Sequence, residues 1–354
     1  MLIKISASIR EIAEYAGVSV STVSRVINGM DRVSGETREK VTKALEFLDY
    51  KPNEMARVLR GKRSNTIGIV VSDISNNFFA KFIKGAENAA MAEGYNILVC
   101  NTDSDYVKER ECIALLLSKQ VSGIVLASVD FESGPVCSTV PGGRKEDVPF
   151  VYIDNLPGHL QEYNSVSIDN ALASRQLTQY LISCGHKDIA ILAGAVMEST
   201  GRDRLCGWKE AMAESGLEAQ DNWAIPGAFT LESGICCMEQ LLAKKNKPTA
   251  VIAANNTIAY GAMLALRQSG YDVPGDISLA AFDVDDETRL ISPKITTMNQ
   301  PVQNFGREAI DICLGLMCDD ESNEHKRSQQ IILPHDFIEG ESVGEWLRSA
   351  RSGR

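Results

Sequence analysis

Apolar and polar positions along the chain follow two rhythms, and the change between them falls near residue 65. Before it, apolar side chains recur at helical spacing: Ile9 to Ala16, then Val23, Val26 and Ile27, then Val41, Ala44, Leu45 and Leu48. After it, short β-branched runs alternate with longer amphipathic stretches. Such runs suit strands buried on both faces of a parallel sheet. TIGIVV, YNILVC and GIVLA read as strands, with helices around Phe79 to Glu93 and Val107 to Ser118 between them. PFVYID and the stretch from SVSIDN to AILAG begin a second series, continued by TAVIAANN and ISLAAFD. This alternation means parallel strands joined by right-handed crossovers. The expected fold is an all-α headpiece followed by an α/β domain of two doubly wound lobes, although the two series share too little sequence to prove a duplication.

Ser8 and Glu11 fit a capping box for the first helix. Gly17 and Val18 make a turn, and Ser19 is placed to cap a second helix from Val20 to about Asn28. Ser34 with Glu36 opens a third. The second helix lies in VSVSTVSRVING, a stretch rich in Ser and Thr, which are poor helix formers. With Val23, Val26 and Ile27 turned inward, its outer face carries Val20, Ser21, Ser24 and Arg25. Short side chains let a helix approach the major groove closely, and Arg25 can reach a phosphate or a guanine edge. A helix, a Gly-containing turn and a second helix with that face make a helix-turn-helix. A Ser-rich surface helix is the plainer reading of the stretch alone, and the next segment shifts the balance. In KPNEMARVLRGKR, Pro52 ends the third helix and Asn53 can cap a helix too short to persist without a partner. Leu59 beside Arg60, Lys62 and Arg63 suits an apolar wedge in a minor groove, with packing on the next domain as the alternative.

Charge agrees with this division. The net charge of −11 combines a first segment, residues 1–63, with 12 Lys and Arg against 8 Asp and Glu, and a remainder with 24 against 39. Only the first segment favours a polyanion. The 354 residues contain no run of about 18 apolar positions, so no membrane span is expected, and the early charges leave no signal-peptide core. Cytoplasm is the default. Nine scattered cysteines without a CxxC pair, with four histidines, point to reduced thiols and to no metal site.

Ligands of open α/β sheets bind beyond the carboxyl ends of the strands. The polar residues that follow each apolar run are therefore candidates: Asp73 and Asn77, Ser128, Asp154 with Asn155, Asp169, Asn255 with Asn256, and Asp283. Arg202 and Arg204 lie beyond AILAG. Carboxylates, amides and Arg offer the paired acceptors and donors that hydroxyl-rich ligands require, while an aromatic ring can cover a sugar's apolar face. Singly, each is more often a helix cap or loop residue; together, at recurrent strand ends, they favour a site. The chain has no P-loop, HExxH or GxSxG, and no GxGxxG follows the first strand, so no enzyme motif competes. His186, at a helix-to-strand turn, reads as structural.

IAEYAGVSVSTVSRVING, VSGETREKV and YKPNEMARVLRGKRSNTIGIV closely resemble the DNA-binding domain and hinge of the LacI/GalR family of bacterial transcription regulators, and the resemblance continues to about residue 340. It implies a helix-turn-helix domain over residues 1–51, a hinge helix and linker over 52–64, a periplasmic-binding-protein-like type I effector and dimerisation domain over 65–340, and a tail over 341–354. It also implies that Val20 and Ser21 read bases, that Thr22, Ser24, Arg25 and Asn28 position the helix, and that Leu59 wedges into the operator centre. Ser19, Ala56 and Arg60 complete the DNA contacts expected from it. RDRLCGW resembles an effector-clamping motif and places Arg204 on the ligand; AANNTIAYGAM and AAFD supply Asn255 and Asp283. Phe229 matches a stacking aromatic and Phe78 the lining of the first lobe. One departure is Asn256, where the family usually has Asp. The function implied is a repressor of a carbohydrate-utilisation operon, acting as a homodimer on palindromic operator DNA. Its small-molecule effector is expected to be a sugar, with a nucleobase as the alternative, and no cofactor is expected. The tail is too short for several leucine heptads, which favours a dimer over a tetramer.

Overall fold

The computed structural model describes residues 7–27, 33–48, 50, 64–129, 148–156, 162–285, 292–318 and 328–346. Asn28 and the hinge residues Ala56, Leu59 and Arg60 lie outside the described residues. The chain divides into two compact units, Met1–Ser64 and Asn65–Arg354.

The first unit holds α1 (Ile9–Ala16), α2 (Val20–Ile27) and α3 (Gly35–Phe47). At the start of α1, Ser8 Oγ accepts from the Glu11 amide and Glu11 Oε2 accepts from the Ser8 amide, closing a full capping box. Gly17 ends α1 at φ 66°, a left-handed conformation that a glycine takes without steric cost. Ile12, Ala13, Val23, Val41 and Ala44 form the buried core, with Val26, Ile27, Leu45 and Leu48 packed around it. The helical apolar spacing is thus satisfied in one small core.

The second unit contains strands β1 (Thr66–Val71), β2 (Asn96–Asn101), β3 (Gly123–Leu126), β4 (Phe150–Ile153), β5 (Asn164–Ile168), β6 (Ile189–Gly194), β7 (Ala224–Pro226), β8 (Ala250–Ala253), β9 (Ser278–Phe282), β10 (Thr296–Asn299), β11 (Gln330–Leu333) and β12 (Asp336–Ile338). Its helices are α4 (Asn77–Ala92), α5 (Tyr106–Ser118), α6 (Asn170–Ser183), α7 (Ser199–Glu214), α8 (Leu231–Leu242), α9 (Asn256–Gln268) and α10 (Val302–Cys318). The first lobe is a sheet ordered β2-β1-β3-β4-β5-β11, and the second is ordered β7-β6-β8-β9-β10-β12. The two orders are the same arrangement repeated, so the lobes share a topology that their sequences do not display. The chain crosses between lobes after β5, after β10 and after β11. All strand pairs are parallel except β10 with β12. The strands β3, β6, β8 and β9 are buried along their whole length, as unbroken apolar runs covered by helices on both faces require.

His186 is buried, with Nδ1 2.9 Å from Thr249 Oγ1 and Nε2 3.1 Å from the Gly344 carbonyl. It fastens the C-terminal segment to the second lobe. Of the cysteines described, Cys100, Cys237 and Cys313 are buried and Cys206 and Cys236 exposed, all as free thiols. No described helix is long and apolar enough to cross a membrane.

Candidate functional site

On the headpiece, Ser19 caps α2: its Oγ accepts from the Thr22 amide at 3.1 Å and shares hydroxyl bonds with Ser21 (2.7 Å) and Thr22 (2.8 Å). This network occupies Ser and Thr hydroxyls that would otherwise compete with the helix's own backbone bonds. Val23 is fully buried, whereas Ser21 and Arg25 are exposed on the opposite face, Thr22 and Ser24 lie at its margin, and Val20 is exposed at the start of the helix. The exposed Val20 has no packing role in the first unit's core.

In the second unit, a cleft between the lobes is lined from strand ends on both sides. The first lobe contributes Ser72, Asp73 and Asn76 beyond β1, Phe78 and Phe79 on α4, Ser104 beyond β2, and Asp154 and Asn155 beyond β4. The second contributes Glu198, Thr200 and Arg204 beyond β6, Phe229 beyond β7, Asn255 and Asn256 beyond β8, Asp283 beyond β9 and Gln300 beyond β10. Asp154 and Asp283 follow equivalent strands of the two repeated sheets, and both adopt left-handed backbone, at φ 60° and 57°. Asp tolerates that region better than most residues, and such strain concentrates at functional sites. Phe229 lies over Gly194 at the end of β6, where a Cβ would collide with the ring.

Arg204 is the centre of the second-lobe wall. Thr200, Arg204, Gly207, Trp208 and Ala211 form the buried stripe of α7, so helical spacing carries the guanidinium inward, leaving it 2% exposed. Its Nε donates to Asn170 Oδ1 at 2.8 Å, Nη1 donates to the Ala254 carbonyl, and the guanidinium carbon sits 4.0 Å from the centroid of Phe282. Nη2 is 3.7 Å from Asp283 Oδ2 and makes no hydrogen bond. Asp283 also accepts from the Gln300 amide (3.0 Å) and side chain (2.7 Å).

Burial pushes Asp154 up to about 6, against the pull of Arg204, with the Asp283 charge adding to the rise. Burial likewise raises Glu198 to about 7; its hydrogen bond from Asn155 opposes this and the nearby charges of Asp154 and Glu109 reinforce it. Asp283 is also pushed up by burial, against Arg204 and the two bonds from Gln300. Burial acts on Arg204 in the opposite sense, but a guanidinium keeps its proton in proteins. The cleft therefore holds one fixed cation among carboxylates that are costly to ionise.

Several contacts bridge the lobes at the cleft, among them the bonds from Asn155 Nδ2 to Glu198 Oε2 (2.6 Å) and from the Leu156 amide to Ser199 Oγ (2.7 Å). Asn256 Nδ2 donates to Asn76 Oδ1 at 2.9 Å while Asn76 Nδ2 donates back to Asn256 Oδ1 at 3.3 Å. A carboxylate at residue 256 could not reciprocate, which gives the departure from Asp a physical use. Lys81 on α4 pairs with Asp285 beyond β9. The space open to a water-sized sphere's centre is ≈ 60 Å³ in the cleft, room for only a few waters. A neighbouring cavity of ≈ 250 Å³ is lined by Asn77, Phe78, Lys81, Asp283 and Asp285 among others.

Thus Asp73, Phe78, Asp154, Arg204, Phe229, Asn255 and Asp283 are brought together, whereas Asn77 faces the neighbouring cavity. Three expected residues are elsewhere. Ser128 is buried and donates to Glu109 Oε1 at 2.9 Å. Asp169 caps α6 by accepting from the Leu172 amide at 2.8 Å. Arg202, two residues before Arg204, falls on the opposite side of α7, exposed and paired with Asp203. Glu198, Thr200, Asn76 and Gln300 are additions. Glu198 and Thr200 follow the end of β6, so the strand-end rule applied there would have found them. No described cluster of His, Cys, Asp or Glu is arranged to hold a metal ion.

Comparison with known proteins places both units. Residues 8–53 match the family described as bacterial regulatory proteins, lacI family, and residues 64–341 match periplasmic binding proteins and sugar binding domain of LacI family. The HTH-type transcriptional repressor PurR of Vibrio campbellii is 36% identical over 322 residues, spanning 89% of this chain and 93% of its own length. Catabolite control protein A of Priestia megaterium is 34% identical over 332 residues, spanning 93% and 97%. The lac repressor dimer bound to operator and the anti-inducer ONPF superposes with a TM-score of 0.79 at 28% identity, over 96% of this chain and 100% of that one. A complex of the regulator CelR with cellobiose gives 0.70 at 30% identity, over 95% and 99%. With a helix-turn-helix headpiece and a two-lobed periplasmic-binding-like domain both matched, the chain belongs to the LacI family of bacterial regulatory proteins and is a ligand-responsive, DNA-binding repressor.

Proposed function

We propose that the effector is a carbohydrate bound in the interlobe cleft, and that the protein represses a carbohydrate-utilisation operon in the cytoplasm without catalysing any reaction. The observation that carries this reading is the ring of strand-end acceptors and donors, Asp73, Asp154, Asn255, Asp283 and Arg204, beside the Phe78 and Phe229 rings. Hydroxyls need donors and acceptors in pairs, and a sugar's C–H face needs an aromatic or apolar wall.

On DNA, Val20 and Ser21 read base edges while Ser19, Thr22, Ser24, Arg25 and Asn28 fix the helix on the backbone. Leu59, flanked by Ala56 and Arg60, enters the minor groove at the centre of the site. One headpiece offers few base contacts, so a homodimer reads a palindrome. The cleft has little free volume, so a sugar enters only as the lobes part and the Asn76–Asn256 and Lys81–Asp285 bridges open. Binding then favours one lobe separation, and operator affinity changes by the difference in ligand affinity between the two arrangements.

The test is a thermal-unfolding screen of the full chain against monosaccharides, cellobiose, adenine and guanine, since a ligand that binds only the folded state raises the midpoint. Stabilisation by a sugar supports the reading. Stabilisation by a nucleobase alone replaces it with the nucleobase alternative.

A further inference from the structure

Glu198 is the N-terminal capping residue of α7, yet its side chain makes no cap bond. It reaches instead toward the first lobe, where Oε2 accepts from Asn155 Nδ2 at 2.6 Å. Its other oxygen has no protein partner among the described residues, and the side chain lines the cleft. Asp73, Asp154, Glu198 and Asp283 are the acids of that lining, and Arg204 is its one base among the described residues. Arg204 is committed to Asn170, Ala254 and Asp283, leaving Nη2 as a buried donor without an acceptor. The cleft thus presents one unfilled donor and several unfilled carboxylate oxygens, that of Glu198 lying where the two lobes meet, with more negative charge than positive.

We propose that Glu198 is the charge-selecting residue of the cleft. It receives a protonated amine carried on a hydroxyl-rich ligand of the amino-sugar class, and the surplus of carboxylates bars ligands that carry phosphate or carboxylate groups. This rests on the carbohydrate reading above. An ammonium against Glu198 supplies the cation the protein omits, through a charge-assisted hydrogen bond in a poorly solvated site. A hydroxyl or ring oxygen of the same ligand accepts from Arg204 Nη2. A phosphate would instead stand close to Asp154, Glu198 and Asp283, with no spare cation to balance it.

Affinities of the full chain for matched probes test this by calorimetry: glucosamine, glucose and glucose 6-phosphate, with the same three forms of galactose and mannose, and adenine and guanine as controls. For at least one sugar frame the amino form binds about tenfold or more tightly than the neutral form, and the phosphorylated form does not bind. Glu198→Gln, of nearly the same shape, removes that preference, so that the ratio of amino-form to neutral-form affinity falls to about one. If neutral sugars bind as well as amino sugars, or a sugar phosphate binds, the Glu198 assignment is overturned while the carbohydrate reading stands. Persistence of the preference in Glu198→Gln overturns it equally. Binding of nucleobases alone, or of no probe, defeats both.

Discussion

Replacing Arg204 by Met removes a buried cation while keeping much of its apolar bulk, and the structure sets the cost. The substitution leaves Asp283 without its cation, Asn170 Oδ1 and the Ala254 carbonyl without their donor, and the Phe282 ring without its guanidinium. Breaking a buried pair by deleting one partner costs roughly 3–5 kcal/mol, because the remaining charge is stranded in a poorly solvated site. The cost depends on pH in a definite direction. Arg204 holds Asp283 and Asp154 down against burial, so its loss raises both further. A carboxyl whose folded value is raised contributes stability at low pH and loses it as pH climbs through that value. The deficit of Arg204→Met is therefore largest near pH 8 and shrinks toward pH 5, where both acids take up protons. Urea unfolding of the effector domain, followed by tryptophan fluorescence, reads it directly, because Trp208 lies one helical turn from Arg204 and is fully buried. A loss below about 1 kcal/mol at pH 8, or one equal at both pH values, would refute the claim that Arg204 neutralises buried carboxylates. Arg204 is thus a strut of the second lobe as well as part of the cleft lining.

Other substitutions give separate readouts. Glu198→Gln stabilises the empty protein at pH 8 by up to roughly 3 kcal/mol, from the rise of the carboxyl to about 7, and the two proteins converge as pH falls to 5; parallel pH profiles of the thermal midpoint would count against this. Arg25→Ala weakens operator binding and lowers the slope of log affinity against log salt by about one if Arg25 meets a phosphate, while changing stability by less than about 0.5 kcal/mol; an unchanged footprint would remove Arg25 from the interface. Asn256→Ala breaks the reciprocal amide pair with Asn76 and shifts the lobes toward a more open arrangement. It should raise the radius of gyration in small-angle scattering, and an unchanged curve would deny the pair a closing role. Ser19→Ala removes the cap of α2 and costs the headpiece about 1 kcal/mol, measurable by its thermal midpoint, with no change expected in the effector domain.

Much of this organisation is legible in the sequence where a single pattern dominates. TIGIVV maps onto β1 without a shift, and the spacing of Val23, Val26 and Ile27 gives the packed face of α2. The strands β7, β11 and β12 escape such reading: β7 and β12 are three residues long, and β11, whose apolar run is only Ile331 to Leu333, alternates between exposed and half-buried positions at the sheet edge. The repeat of strand order is invisible for another reason, since topology constrains where strands lie and not which apolar residues fill them. In the site, the strand-end rule finds Asp73, Asp154, Asn255 and Asp283 because each follows a strongly apolar strand. It misplaces Ser128 and Asp169, whose polar groups are consumed by Glu109 and by the start of α6. Arg202 and Arg204 look alike in the linear chain, and only the helical phase of α7 separates the buried one from the solvated one. Glu198 follows a strand-end turn rather than an apolar run directly, and only the geometry shows that it heads α7 without capping it.

The central claim, that a sugar in the cleft governs operator binding, is tested most directly by the operator affinity of the full chain. This is read by fluorescence anisotropy on the duplex recovered by in vitro selection, as the sugar that most stabilises the protein is titrated in. The account predicts a change in operator Kd of about fivefold or more that saturates with the same midpoint as the thermal stabilisation. An operator affinity that stays constant while the cleft is saturated would contradict it.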